Sequence, residues 1–291
     1  MNFLTAIING LSSGGTYAMI ALGYTMVYGI AKMLNFAHGD IIMVGGYAMF
    51  VTLLFCDLPI LAIVAAILFC VLLGILIERV AYKPLRGASS LAVLITAIGV
   101  SYLLQSLAQV IFKSAPKSMT ALQIGGILKI GSLSIAYSTL VTLAVTVVVM
   151  VALSLFIKYS KTGRAMVAVS EDKGAALLMG INVNKIIAIT FAIGSALAAL
   201  AGFFMLTKAP SLTNTLGAMP GIKAFTAAVI GGIGSIPGAM LGGILLGVVE
   251  SISNSIPAIA PYTDAIEFSI LIVILLVKPS GILGKMRREK V

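Results

Sequence analysis

Charge is what this sequence has least of. Only 10% of its 291 residues are Asp, Glu, Lys or Arg, against 60% hydrophobic residues and a mean hydropathy of +1.15. Soluble domains carry about 25% charged residues. No soluble core of this length hides so much apolar surface, which argues against a soluble enzyme and implies a polytopic, all-α membrane protein. Tryptophan is absent, and there is one histidine, His38. With one histidine and no CxxC, no metal site is expected. The two cysteines, Cys56 and Cys70, would lie about 21 Å apart on one helix, whereas a disulfide needs Cα atoms within about 7 Å. They read as free packing residues.

Other absences bound the chemistry. The phosphate-loop pattern GxxxxGK[ST] is missing; Gly284-Lys285 has neither the upstream glycine spacing nor a following Ser or Thr. No basic patch with interleaved aromatics accompanies the net charge of +10, so no nucleic-acid partner is expected. Gly10-Leu11-Ser12-Ser13-Gly14 formally matches GxSxG, but that elbow needs a strand before it, and this stretch reads as membrane helix. No basic residue precedes Lys32, so the N-terminus lacks the positive region of a cleaved secretory signal.

What is present is a series of apolar spans, near 4–30, 36–56, 59–78, 91–112, 136–157, 186–207, 221–233, 238–256 and 264–277. A crossing takes about 20 apolar residues. The span 221–233 is too short and is expected to be re-entrant or broken. Gly14-Gly15 and Gly45-Gly46 are expected to interrupt the first two spans, leaving about eight to ten crossings in one transmembrane domain, 1–291. Lys and Arg then orient the bundle. With the N-terminus outside, fourteen of the 19 fall inside, and Lys113, Lys117, Lys129, Lys208 and Lys223 fall outside. Positive charge marks the cytoplasmic side, so the N-terminus is expected to be periplasmic and the C-terminus cytoplasmic.

This orientation makes 158–185 the longest cytoplasmic loop. Within it lies SEDKGAALLMGI, residues 170–181. Ser170 is expected to cap a helix of about nine residues, with Glu171 and Asp172 in its first turn, where the dipole favours acids. Gly180 suits the left-handed position after the last turn, and Asn182 or Asn184 the start of the next span. Ala175, Leu178 and Met179 share one face, which needs a partner. Gly174, Ala175 and Ala176 allow close approach. Three readings are open: packing on the chain's own membrane helices, docking to a separate cytoplasmic protein, or an interfacial helix lying on the bilayer.

Three further groups have two readings each. Asn35, His38 and Asp40, in NFAHGD, are either water-facing helix-end residues or an inner gate. Glu250, the one acid deep in an apolar span, is either a packing hydrogen-bond partner or a binder of a substrate ammonium group. Asp264 and Glu267 are expected to face water at the outer end of the last span. Gly234, Gly238 and Gly242 repeat every four residues, and Gly243 pairs with Gly247. Such ladders bring helices close, within the chain or against a partner.

EDKGAALLMGIN resembles the cytoplasmic EAA-type loop of ABC-transporter permeases, in a spaced form with Glu171 apart from Ala175-Ala176. KMLNFAHGDIIMVGGY at 32–47 and GGIGSIPGAMLGG at 231–243 resemble the branched-chain amino acid permease family, most closely its H-type subunits. The likeness covers nearly the whole chain. It implies an inner-membrane permease moving leucine, isoleucine and valine by alternating access, and no covalent chemistry in this chain. The implied partners are a second, M-type permease, two cytoplasmic ATPases that use ATP and Mg, and a periplasmic binding protein. Glu171, Asp172, Gly174, Ala175, Ala176, Leu178, Met179 and Gly180 would form the ATPase-coupling surface.

Overall fold

The computed structural model describes residues 3–130 and 133–284. Lys285, Arg287, Arg288 and Lys290, which belong to the inside set of basic residues, lie outside the described residues. The helices are α1 (Phe3–Ala31), α2 (His38–Phe55), α3 (Pro59–Ile77), α4 (Ser90–Phe112), α5 (Tyr137–Tyr159), α6 (Lys161–Glu171), α7 (Lys173–Leu178), α8 (Val183–Lys208), α9 (Ala218–Gly231), α10 (Ile236–Ser255) and α11 (Thr263–Val277). A π turn, Glu78–Tyr82, and a 3-10 turn, Lys83–Leu85, prolong α3. The strands are short: β1 (Lys117–Ser118), β2 (Ile127–Ile130), β3 (Leu133–Ala136) and β4 (Ser211–Leu212). β1 pairs antiparallel with β4, and β2 with β3.

Seven helical stretches among the described residues are long and apolar enough to cross a membrane. To these α1 adds a further long helix of 29 residues, about 44 Å at 1.5 Å per residue. Its Gly, Ser and Thr content follows from its place at the centre, where it packs on α5, α8, α9 and α10. α3, α4, α5 and α11 carry most of the exposed large apolar side chains, as lipid-facing helices do.

The glycine pairs do not interrupt their helices; α1 and α2 run unbroken through them. Gly14 and Gly45 remove side chains where another backbone passes, and Gly15 and Gly46 make room for the side chains of Thr146 and Leu212. A Cβ on Gly14 would stand 2.7 Å from the Cα of Ile244, and one on Gly45 3.1 Å from the Cα of Ala199. The α10 ladder splits between two neighbours. Gly243 and Gly247 face Ala18 and Gly14 of α1, while Gly238 and Gly242 face Gly231 and Ala227 of α9. Gly234 sits in the preceding turn at φ +93°, beside Gly29. Gly247→Val must push α10 off the backbone of Gly14. Overpacking of this kind costs about 1–3 kcal/mol, so the melting temperature in detergent is expected to drop. Gly99→Ala, with nothing within 4 Å, is the control expected to melt like the parent protein.

The 14-residue α9 spans about 21 Å, short of the roughly 30 Å hydrocarbon core. α2 is also offset. Its first residue, His38, lies against Gly23 of α1, eight residues before the end of α1, or about 12 Å up that helix. The chain therefore leaves α1 at Ala31, turns at Lys32 and climbs back through 32–37 before α2 begins.

Candidate functional site

Two irregular segments meet inside the bundle. Residues 32–37 enter from the end that carries α6 and α7. Residues 209–217 enter from the opposite end, where β4 pairs with β1. Their following helices start in mutual contact: a Cβ on Gly217 would overlap the carbonyl of Gly39, and one on Gly221 would stand 2.9 Å from the Cα of Gly39. Irregular backbone at membrane depth is tolerated only where protein buries it or it lines a cavity. Aromatic rings seal the junction, with Phe225 of α9 5.3 Å from Phe36 and 5.8 Å from Tyr24.

The residues of NFAHGD are placed here, and the water-facing capping reading fails for them. Asn35, His38 and Asp40 are all buried, and the residue preceding α2 is Ala37, which makes no side-chain cap bond. Burial so close to one another leaves each needing a protein partner. Asn35 Oδ1 accepts from the Tyr82 hydroxyl at 2.7 Å, and Asp40 Oδ1 accepts from Gln105 Nε2 at 2.8 Å. The His38 ring stands edge-on to Tyr24 at 4.8 Å, and its Nε2 has no hydrogen-bond partner.

Glu250 lies in a partly buried ion cluster instead of offering a vacant carboxylate. Lys223 Nζ is 2.7 Å from Glu250 Oε1, 2.8 Å from Asp264 Oδ1 and 3.3 Å from Glu267 Oε2. The Tyr17 hydroxyl donates to Glu250 at 3.0 Å. The ammonium that Glu250 binds is thus one of the chain's own. Two expectations change as a result. Lys223, counted among the outside basic residues, is a buried member of this cluster, and Glu267 is fully buried while Asp264 is half-exposed.

The long loop folds as two helices in place of one. Ser170 does not cap; its hydroxyl donates to the carbonyl of Val167 within α6. Asp172 breaks the helix with extended backbone, and its Oδ1 accepts from Gly174 N and Ala175 N to start α7. Aspartate wins this position because its carboxylate meets the unpaired N–H groups of the first turn. Gly180 ends α7 at φ +79°. Gly180 N donates to Leu177 and Ile181 N to Ala176, the paired pattern that closes a helix on a left-handed glycine. Asn182 then caps α8 through Lys185 N. Ala176 is the buried residue of α7. Ala175 is exposed, and Leu177, Leu178 and Met179 stand 64%, 90% and 82% exposed.

Sequence reasoning missed Lys223 as a buried cation, the Gly39–Gly217–Gly221 junction, and a bond from Lys173 Nζ to the Ala31 carbonyl at 2.8 Å. The first had a signal: a lysine within the apolar run 221–233, with three acids at 250–267 to receive it.

Long apolar helices, with irregular connecting segments meeting inside the bundle, define a multi-pass membrane protein. Residues 6–275 match the family described as branched-chain amino acid transport system / permease component. Over its full length the chain is 44% identical to the high-affinity branched-chain amino acid transport system permease protein BraD of Pseudomonas aeruginosa, covering 98% of that protein. It is 43% identical to the LivH permease protein of Escherichia coli, over 99% of this chain and 98% of that one. The chain belongs to the branched-chain amino acid transport permease family.

Proposed function

We propose that the chain is a permease subunit of an ATP-driven importer that carries leucine, isoleucine and valine across the bacterial inner membrane. The observation that carries this reading is the end-to-end match, at 43–44% identity, to permease proteins named for high-affinity branched-chain amino acid transport. The end bearing α6 and α7 is cytoplasmic in this reading. Lys32, Lys83, Arg86, Lys158, Lys161, Arg164, Lys173, Lys185 and Lys278 gather at or near it, as the positive-inside rule favours. Phe3 then starts α1 on the periplasmic side.

The chain supplies a path, and separate partners supply the rest: a second permease, a periplasmic binding protein and two ATPases that use ATP and Mg. The apolar surface of Leu177, Leu178 and Met179 is the ATPase docking element, since an exposed apolar cluster on a capped helix is an interaction surface in want of a partner. The junction of Asn35, His38 and Asp40 with Gly217 and Gly221 is the gate. Broken helices at membrane depth are where transporters place their moving, substrate-facing parts. Glu250 holds α9 to α10 through Lys223.

Labelled leucine uptake tests the substrate. In a strain lacking the gene, uptake is expected to be lost and to return with the gene in trans, and excess isoleucine or valine should compete. Restoration that excess isoleucine and valine leave untouched would contradict the substrate assignment.

A further inference from the structure

We propose that Lys173 is the positioning residue through which movement of the docking helix reaches the re-entrant segment 32–37. The proposal rests on the docking role of α7 in the proposed function. Lys173 is the first residue of α7, and its ammonium donates to the carbonyl of Ala31, the last residue of α1. That carbonyl is one of the helix-terminal acceptors left without an intrahelical partner, at the negative end of the α1 dipole. A cation is the fitting donor there. Burial first, and the positive Arg86 second, push the Lys173 ammonium below the ordinary lysine range. The contact is therefore kept against a desolvation cost.

The turn after Ala31 is strained. Lys32 has φ 59°, in the left-handed region that non-glycine residues occupy with strain. Three residues later Asn35 is pinned from the other side by Tyr82. Tyr82 closes the turn that begins at Glu78. Glu78 is paired with Arg86, which in turn bonds Asn184 at the start of α8. The segment 32–37 is thus held between a fixed anchor, Asn35–Tyr82, and a tether to the docking helix, Lys173–Ala31. It leads directly into His38 and the Gly39–Gly217–Gly221 junction. Displacing α7 pulls on one end of a strained turn while the other end stays fixed.

The test uses the whole transporter in proteoliposomes, with ATP hydrolysis and leucine uptake read in the same vesicles. Lys173→Met keeps the stem and removes the donor. Hydrolysis is expected to stay within about twofold of wild type while leucine moved per ATP falls about tenfold, the size of an ordinary coupling term. Lys173→Arg restores the donor and is expected to recover more than about half of the ratio. In the purified permease without ATPases, amide exchange across 32–37 is expected to quicken about tenfold in Lys173→Met, as for loss of a charged hydrogen bond. An unchanged ratio, an arginine variant no better than the methionine one, or unchanged exchange overturns the proposal. So does a parallel fall of hydrolysis and uptake, which would place Lys173 in docking alone. A wild type with no ATP-dependent uptake sinks the functional reading and the proposal with it. A wild type that transports, matched by Lys173→Met, sinks only the proposal.

Discussion

Leu178→Asp combined with Met179→Asp is expected to abolish leucine uptake while leaving the permease folded in the membrane. Both side chains are almost fully exposed in the isolated chain, so aspartate at either position costs little in the fold itself. Each would be buried on docking, where a large apolar side chain contributes about 1.5–3 kcal/mol. Two such losses, plus two carboxylates facing an apolar surface, weaken binding by at least about a hundredfold. Uptake of labelled leucine checks the loss, and membrane abundance with melting temperature checks the fold. Ala176→Asp is a useful contrast, because Ala176 is buried under α7 and its substitution is expected to lower the melting temperature as well. Uptake by the double variant within about twofold of wild type would remove the docking role from this face.

The second large effect is expected at Lys223. Lys223→Met removes the ammonium that pairs with Glu250, Asp264 and Glu267. Asp264 is half-exposed and recovers solvation from its surroundings. Glu267 is fully buried, with Lys223 Nζ 3.3 Å from its Oε2, so loss of that ammonium strands its charge. Breaking a buried pair by deleting one partner costs about 3–5 kcal/mol, so the variant is expected to accumulate poorly and to melt well below wild type in detergent. Adding Glu250→Gln and Glu267→Gln removes the stranded charge and is expected to recover most of the loss. A single variant as stable as wild type would show that the cluster does not hold α9, α10 and α11 together.

The parts of this fold that were legible in the sequence are those set by local chemistry. Length and apolarity mark the long helices, Gly180 marks the end of α7, and Asn182 marks the start of α8. The parts that were not legible depend on what lies across the bundle. Gly14-Gly15 looked like a break because glycine weakens a helix in isolation. In the bundle it admits the backbone of α10, and the close packing keeps the helix whole. Ser170 looked like a cap because nothing local separates it from Asp172. Asp172 takes the role by binding two N–H groups at once. Asn35, His38 and Asp40 carry the same residue types whether they face water or protein. Their burial results from the return of 32–37 into the bundle, which no local pattern encodes. Glu250 stood out as an acid in an apolar span, but its partner is 27 residues away on a different helix.

ATP-driven leucine uptake into proteoliposomes, with and without the two ATPases, tests the central claim most directly. Uptake is expected only when the second permease, the ATPases and the binding protein are present with this chain and ATP, and none is expected from this chain alone. Leucine uptake by this chain alone, indifferent to ATP and to the ATPases, would contradict that claim.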